Sequence, residues 1–220
     1  MTTIWLVRHA ETSAPTKFHG AESDIDLGEH GKRQATAAAG WFAELRPTAV
    51  VSSAMIRARD TAAPIAAACG VPHHIEPMLH ERYVGPLTKM PRANADHVWD
   101  YTMERWIAGE TAYAYEGMES FDALRDRTLP AFERVVKAHP GGRVVVVCHG
   151  VVKKTLLLSL LRGKSPADWN AIGRIPNLAV TEIVPDGDMW RAEQLIIVPP
   201  PVRLLNESAA SAADVWKTQA

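Results

Sequence analysis

Four consecutive valines at positions 144–147 constrain the fold more than any other feature of the chain. Val is β-branched and favours extended backbone, and an unbroken apolar run of this length is typical of a strand buried on both faces. Such strands belong to parallel sheets that helices cover on both sides. An apolar segment with helical composition follows at 151–161. The alternation of strand and helix therefore predicts an α/β domain.

The same alternation recurs along the chain. Further strands are predicted at 4–7, 48–53 and 72–77, and further helices at 29–45, 56–70 and 119–139. Residues 178–198 predict a hairpin with Asp186–Gly187 at its turn. Pro64 lies inside a predicted helix, so that helix should start late or kink. Together these elements predict a three-layer α/β/α sandwich with a mostly parallel central sheet.

The length of 220 residues suits a single domain, predicted here to span residues 1–200. Residues 84–118 mix Trp and Tyr with Gly, Pro and charged side chains. We expect them to form a cap-like insertion over the active site, with a helix at 92–108 and an irregular loop after it. Residues 201–220 are expected to be a C-terminal tail, either frayed or a short helix docked by Trp216.

Composition excludes several classes of partner. The formal net charge of −1 gives no overall attraction for nucleic acid or an anionic membrane, so any anion site must be a local cluster. No apolar run approaches the ~20 residues of a membrane span, and the N-terminus lacks the basic leader of a signal peptide. Cys69 and Cys148 are too few for a disulfide scaffold. We therefore expect a cytoplasmic protein.

Conspicuous polar residues follow the predicted strands. Arg8 and His9 end the first strand, Arg57 follows the second, and His149 follows the valine run directly. In parallel sheets, ligands bind beyond the carboxyl ends of the strands, so these side chains should converge. Arginine forks match phosphate oxygens, and histidine can act as a nucleophile near neutral pH. With Glu81 as a proton donor, the set fits phosphoryl transfer to a histidine.

Six segments resemble the signatures of the histidine phosphatase superfamily, which has the phosphoglycerate mutase-like fold. They are "LVRHAET", "DIDLGEHGKRQA", "SSAMIRARDTA", "LHERYVG", "GMESFDALRDR" and "VVVVCHGVV". They occur in the family's order and span roughly residues 4–180. The resemblance implies a phosphatase that needs neither a metal ion nor an organic cofactor.

The same resemblance implies a role for each matching residue. His9 would be the nucleophile, and Glu81 the proton donor that later activates water. Arg8, Arg57 and His149 would cradle the phosphoryl group, and Thr12 would add a donor to the substrate. Three departures stand out: Ala10 replaces a usual glycine, Pro15 a frequent asparagine, and "PLTKMP" follows Gly85 where the family often has an acidic residue and glycine.

The sequence also leaves alternative functions open. A phosphoglycerate mutase-type phosphotransferase is one alternative, which the sequence after Gly85 disfavours, and a non-catalytic phosphate- or phosphoprotein-binding module is another. His73, His74 and His80 could suggest a metal site, but they lack zincin spacing, and surface positions are expected for them. The expected partner is a small phosphorylated metabolite of unspecified identity. The oligomeric state is left open, with a homodimer as one alternative.

Overall fold

A computed structural model describes the backbone of residues 2–217 and the side chains of residues 2–209. The strands are β1 (Thr3–Arg8), β2 (Ala49–Ser52), β3 (His73–Ile75), β4 (Arg143–Cys148), β5 (Val180–Asp186) and β6 (Met189–Ile197). The helices are α1 (Glu29–Glu44), α2 (Ile56–Cys69), α3 (Arg92–Ile107), α4 (Phe121–Ala138), α5 (Gly150–Leu160), α6 (Trp169–Ile172) and α7 (Pro200–Lys217).

The six strands form one sheet in the order β3-β2-β4-β1-β5-β6. The first four are parallel, and β1 pairs with β4 so that Leu6 lies opposite Val146. Strand β5 runs antiparallel to β1 and forms a hairpin with β6. This arrangement places the carboxyl ends of β1, β2 and β4 side by side at one edge of the sheet. Those are the strand ends after which Arg8, Arg57 and His149 were expected to meet.

Helices cover both faces of the sheet, because side chains alternate along each buried strand. Leu6 and Val146 face a core formed with α4 and α5. Val7 and Val147 face the opposite core, formed with α1 and α2. The predicted three-layer α/β/α sandwich with a mostly parallel sheet is thus confirmed.

Two local features differ from the sequence-based expectations. Helix α2 begins at Ile56 and continues through Pro64, so the predicted late start is wrong. A proline in this position removes one backbone bond, but the helix is held at its start, where the Ile56 amide donates to Asp24 Oδ1 at 2.7 Å. The hairpin turns at Gly187 and Asp188, one residue later than predicted, with Gly187 at φ 67°.

The C-terminal segment is an 18-residue helix, not the frayed tail or short helix expected. Val202 is buried against the α1 and α2 core, and Gln34 donates its side-chain amide to Asn206 Oδ1 at 2.8 Å. These contacts fix the first half of α7 on α1. The docking role expected for Trp216 lies outside the described side chains. Within residues 2–217, no helix combines the length and apolarity that a bilayer crossing requires.

Candidate active site

An open cleft of about 920 Å³ lies at the carboxyl edge of the parallel strands. Five of the six residues that the sequence singled out line it: Arg8, His9, Thr12, Arg57 and Glu81. They come from β1 and the loop after it, from the first turn of α2, and from the loop that follows β3. The sheet topology therefore gathers side chains from positions 8 to 81 around one space.

The imidazole of His9 is oriented by its own backbone neighbour. Its Nδ1 lies 2.7 Å from the carbonyl oxygen of Ala10, and a carbonyl only accepts, so Nδ1 carries the proton. That tautomer leaves the Nε2 lone pair free. Burial, reinforced by the charges of Arg57 and Arg8, holds the pKa of His9 well below 6.5. The ring is therefore neutral and nucleophilic at physiological pH.

The loop that carries His9 is held through its backbone. The Ala10 amide donates to Thr61 Oγ1, and the Glu11 amide donates to Gln34 Oε1, each at 2.9 Å. Asn177 donates its side-chain amide to the His9 carbonyl at 2.9 Å. These bonds explain why polar Thr61 and Gln34 occupy fully or nearly buried positions.

Close packing also fixes the loop. A Cβ atom at Gly31 would lie 1.9 Å from the Glu11 carbonyl oxygen, so only glycine allows α1 to approach this closely. Residues of the segment 24–35, which resembles a family signature, thus pack against the loop that carries the nucleophile.

Arg57 lines the cleft, although its side chain is fully buried from bulk solvent. Its Nη1 donates to the carbonyl of Ser23 at 2.9 Å, and its Nη2 to the carbonyl of Gly20 at 3.3 Å. Its Nε donates to Nδ1 of His149 at 3.3 Å. The neighbouring Arg59, two residues along the same helix, is exposed.

His149 is also fully buried, and its ring centroid lies 5.2 Å from that of His9. Because Nδ1 accepts from Arg57, the proton resides on Nε2, which donates to Ser53 Oγ at 2.9 Å. Burial, with the Arg57 charge, holds the pKa of His149 well below 6.5. His149 is not among the cleft-lining residues. Both ring nitrogens have protein partners in this structure, and the cradling role expected for His149 stays a prediction.

Arg8 reaches from the end of β1 across the start of α5. It donates Nη1 to the Ile175 carbonyl at 2.5 Å, and its Nε has no partner among the described groups. A Cβ atom at Gly150 would lie 3.4 Å from that Nε, so the guanidinium rests directly on the N-terminal turn of α5. Burial lowers the pKa of Arg8 to about 10, which still leaves it charged at neutral pH.

Glu81 lies in the loop between β3 and α3 and is 8% exposed. Its Oε1 accepts from the Arg82 amide at 2.9 Å. Arg127 on α4 holds this loop by hydrogen bonds, because its guanidinium donates to the carbonyls of His80 at 2.9 Å and Glu81 at 3.1 Å. The same guanidinium forms a two-pronged pair with Glu119, with bonds of 2.7 and 2.9 Å. The segment "GMESFDALRDR" therefore positions the Glu81 loop.

The Arg82 side chain ties the Glu81 loop to the insertion. Its guanidinium carbon lies 4.5 Å from the ring centroid of Trp106 and 5.5 Å from that of Trp99, both on α3. Its Nε donates to the Glu119 carbonyl at 2.8 Å. Arg82 is fully buried, so the loop and α3 are fixed relative to each other.

The sequence predicted that residues 84–118 would lie over the site, but it did not single out the individual residues of the outer wall. Arg92, Asp96 and Trp99 line it from α3, and Lys154, Trp169 and Arg174 line it from α5 and the segment after it. Cations outnumber carboxylates around the cleft: Arg8, Lys17, Arg57, Arg92, Lys154 and Arg174 stand against Glu11, Glu81 and Asp96. No local pattern marks these residues, because only the fold brings their segments together.

The other polar candidates lie elsewhere. Cys148 is buried in the core shared with α4 and α5, and burial raises the pKa of its thiol to about 12, so it is inert at neutral pH. His73 bonds to Ser52 Oγ at 2.9 Å at the edge of the sheet. In the described part of the chain, no three His, Cys, Asp or Glu side chains group as metal ligands would.

Comparisons with known proteins identify the family of this chain. The family model of the histidine phosphatase superfamily (branch 1) matches residues 4–197. A "Metal-independent phosphoserine phosphatase" from Arabidopsis thaliana is 36% identical over 202 residues, covering 86% of this chain and 79% of the relative. "Phosphoglycerate mutase-like protein 4" from the same plant is 33% identical over 193 residues, covering 85% and 81%. A mycobacterial glucosyl-3-phosphoglycerate phosphatase, solved with VO3, has a TM-score of 0.79 and 26% identity over 90% of this chain and 99% of its own.

Proposed function

Since the chain belongs to the histidine phosphatase superfamily, branch 1, and is a phosphoric monoester hydrolase, we propose that it works through a phosphohistidine at His9 and without a metal ion. The observation that carries this proposal is the state of the His9 ring. Its Nδ1 proton is bound to the Ala10 carbonyl, its pKa is lowered by burial and by two arginines, and the residue lines the cleft with its Nε2 lone pair not used by that bond.

In the first step, the Nε2 lone pair of His9 attacks phosphorus as the bond from phosphorus to the leaving oxygen breaks. Glu81 donates its carboxyl proton to that oxygen, so the alcohol leaves neutral. Arg8 and Arg57 face the transferring group with fixed positive charge, which favours the transition state more than the ground state. Thr12, which lines the same wall, is proposed to add a hydroxyl donor to the substrate.

In the second step, the Glu81 carboxylate takes a proton from water as the water oxygen attacks phosphorus. The bond between phosphorus and Nε2 breaks, its electron pair returns to the ring, and inorganic phosphate leaves. His149 acts in this scheme by holding the Nε of Arg57 and by packing on His9. It is thus a positioning residue in the resting site.

The proposed substrate is a small phosphorylated metabolite. The names of two relatives describe enzymes for phosphoserine and for glucosyl-3-phosphoglycerate, which are molecules of that class. An open cleft of about 920 Å³ has room for a compact leaving group beyond the phosphoryl site. A cytoplasmic location belongs to this proposal, and the free thiols of Cys69 and Cys148 suit a reducing compartment. A homodimer stays a prediction, and light scattering would test it by measuring the molar mass in solution.

A mutase-type phosphotransferase is the second candidate, because one relative is named a phosphoglycerate mutase-like protein. Such an enzyme would convert 3-phosphoglycerate to its 2-isomer only after priming by a bisphosphate. A phosphatase would instead release inorganic phosphate from the same compound with no primer. Product analysis by NMR with and without 2,3-bisphosphoglycerate separates the two.

The central test traps the intermediate on the wild-type protein. Turnover of p-nitrophenyl phosphate is quenched in alkali, where phosphohistidine survives, and the peptides are analysed by mass spectrometry. We expect the phosphoryl group on His9, no turnover by His9→Ala, and full wild-type activity in EDTA. Activity that EDTA abolishes, or full turnover by His9→Ala, would refute the proposal. Tight phosphate binding with no ester hydrolysed would favour a binding module instead.

A further inference from the structure

The outer wall of the cleft holds a buried ammonium group without an anionic partner. Lys154 on α5 is only 8% exposed, yet it lines the cleft. Its Nζ lies 4.4 Å from the ring centroid of Trp169. Among the described side chains, no Asp or Glu forms an ion pair with it. A buried charge with no counter-ion is costly, so a site that keeps one is suited to an anionic ligand.

Two arginines line the same cleft as this ammonium group. Arg174, in the segment after α6, has no ion-pair partner in the described chain. Arg92, at the start of α3, rests over the Phe18 ring at 4.8 Å and donates to the Pro15 carbonyl at 3.4 Å. The positive charges of Arg92 and Arg174 contribute to the lowered pKa of Arg8, and all three guanidinium groups line the same cleft.

The charge balance of the cleft shows that the phosphoryl group alone does not satisfy these cations. Six cationic and three carboxylate side chains line the cleft, so it carries three net positive charges when all are ionised. A phosphate monoester brings about two negative charges near neutral pH. At least one positive charge in the cleft is therefore left for a second anionic group.

We propose that Lys154 and Arg174, flanked by Arg92, form a second anion subsite that binds a carboxylate or second phosphate on the leaving group. The inference rests on the proposed phosphatase function and narrows its substrate class to esters that carry another anionic group. The carbon skeleton between the two anions passes the aromatic faces of Trp99 and Trp169, which line the same cleft. A neutral alcohol as leaving group would leave the ammonium group of Lys154 without a partner.

The test compares substrates that differ in one group. 3-Phosphoglycerate and glycerol 3-phosphate differ only in a carboxylate against a hydroxymethyl group, as do phosphoserine and phosphoethanolamine in a carboxylate against hydrogen. Fructose 1,6-bisphosphate against fructose 6-phosphate tests a second phosphate. We expect wild-type kcat/KM to favour the partner with the additional anionic group in at least one pair by about tenfold or more, which equals about 1.4 kcal/mol.

Two substitutions assign that preference to the subsite. Lys154→Met keeps the stem on Trp169 and removes the charge, and Arg174→Gln removes the guanidinium. Each should bring the kcat/KM ratio of the favoured pair towards one, mainly by raising KM for the anionic ester. Arg59→Gln, which removes an exposed charge outside the cleft, should keep the wild-type ratio.

The outcomes separate the two proposals. If the wild type hydrolyses p-nitrophenyl phosphate and glycerol 3-phosphate but shows no preference in any pair, the second subsite is refuted and the phosphatase stands. A preference that survives both substitutions refutes the assignment to Lys154 and Arg174. If no ester is hydrolysed at all, the proposed function itself fails.

Discussion

The Nε of Arg57 donates to Nδ1 of His149 across 3.3 Å, and both side chains are fully buried. The bond fixes the tautomer of His149, whose remaining proton goes to Ser53. It also fixes the plane of the guanidinium, whose other nitrogens bond to loop carbonyls. The second histidine thus positions the arginine that lies beside the nucleophile.

This relationship predicts unequal effects of two substitutions at position 149. His149→Ala leaves the Arg57 Nε buried without an acceptor, and we expect kcat to fall by about 100-fold, as for the loss of one fixed transition-state donor. His149→Asn keeps an acceptor near Nδ1 and should lose clearly less. Steady-state kinetics on p-nitrophenyl phosphate measure both, and equal losses would argue against this positioning role.

The hydrogen bonds from Arg127 to the Glu81 loop predict that the activity lost on removing Arg127 depends on the leaving group. Arg127→Met frees the loop carbonyls, so the proton donor is held less well. We expect roughly a tenfold or greater loss with an alkyl phosphate, whose leaving oxygen needs a proton, and a smaller loss with p-nitrophenyl phosphate. Glu81→Gln should show the same contrast more strongly. Arg125→Met, which removes a partly exposed neighbour paired with Asp122, is the control, and a uniform loss in Arg127→Met would contradict the role.

The lowered pKa of His9 predicts that its ring stays neutral well into the acid range. Because burial and two arginines favour the neutral form, no proton binds as the pH falls through 6.5. Ring NMR signals, assigned with His9→Ala, should keep their neutral positions between about pH 8 and 6. A midpoint at or above 6.5 would show that the surroundings do not favour the free base.

Gly31 and Gly40 lie in the same helix and provide a matched pair. Gly31→Ala would place Cβ 1.9 Å from the Glu11 carbonyl oxygen, so the nucleophile loop must move. We expect a loss of about 1–3 kcal/mol in the free energy of unfolding, together with reduced kcat. Gly40 has open space around it, so Gly40→Ala should gain about 0.5–1 kcal/mol with no change in kcat. Urea unfolding and steady-state rates check both, and similar behaviour of the two variants would refute the close approach.

The burial of Lys153 predicts that the free energy of unfolding rises with pH. Its ammonium group is fully buried and donates to the Ala179 carbonyl at 2.8 Å, and burial lowers its pKa from 10.5 to about 7. Between these values the unfolded chain binds the additional proton, so the free energy of unfolding increases as the pH rises. In Lys153→Met this contribution disappears, and the variant should be more stable than wild type near pH 7 by a margin that shrinks towards about pH 9. Urea unfolding at both pH values decides, and an unchanged margin would contradict the lowered pKa.

Much of the site was visible in the sequence because its chemistry is attached to strand ends. Arg8 and His9 directly follow a buried apolar run, and His149 follows another. The hydrogen bonds of the His149 ring were not predictable, because Arg57 and Ser53 are distant from it in the sequence.

The sequence by itself determined the layered α/β architecture and the segments that surround the nucleophile, because strand burial and turn chemistry are local properties of the chain. Only the tertiary structure decided the outer wall. Arg92, Lys154 and Arg174 come from three separate segments, and none follows an apolar strand or belongs to a motif. Long cationic side chains are ordinary on any helix surface, so their meaning depends on what faces them. Here the packing of α3 and α5 over one edge of the sheet turns them towards a common space.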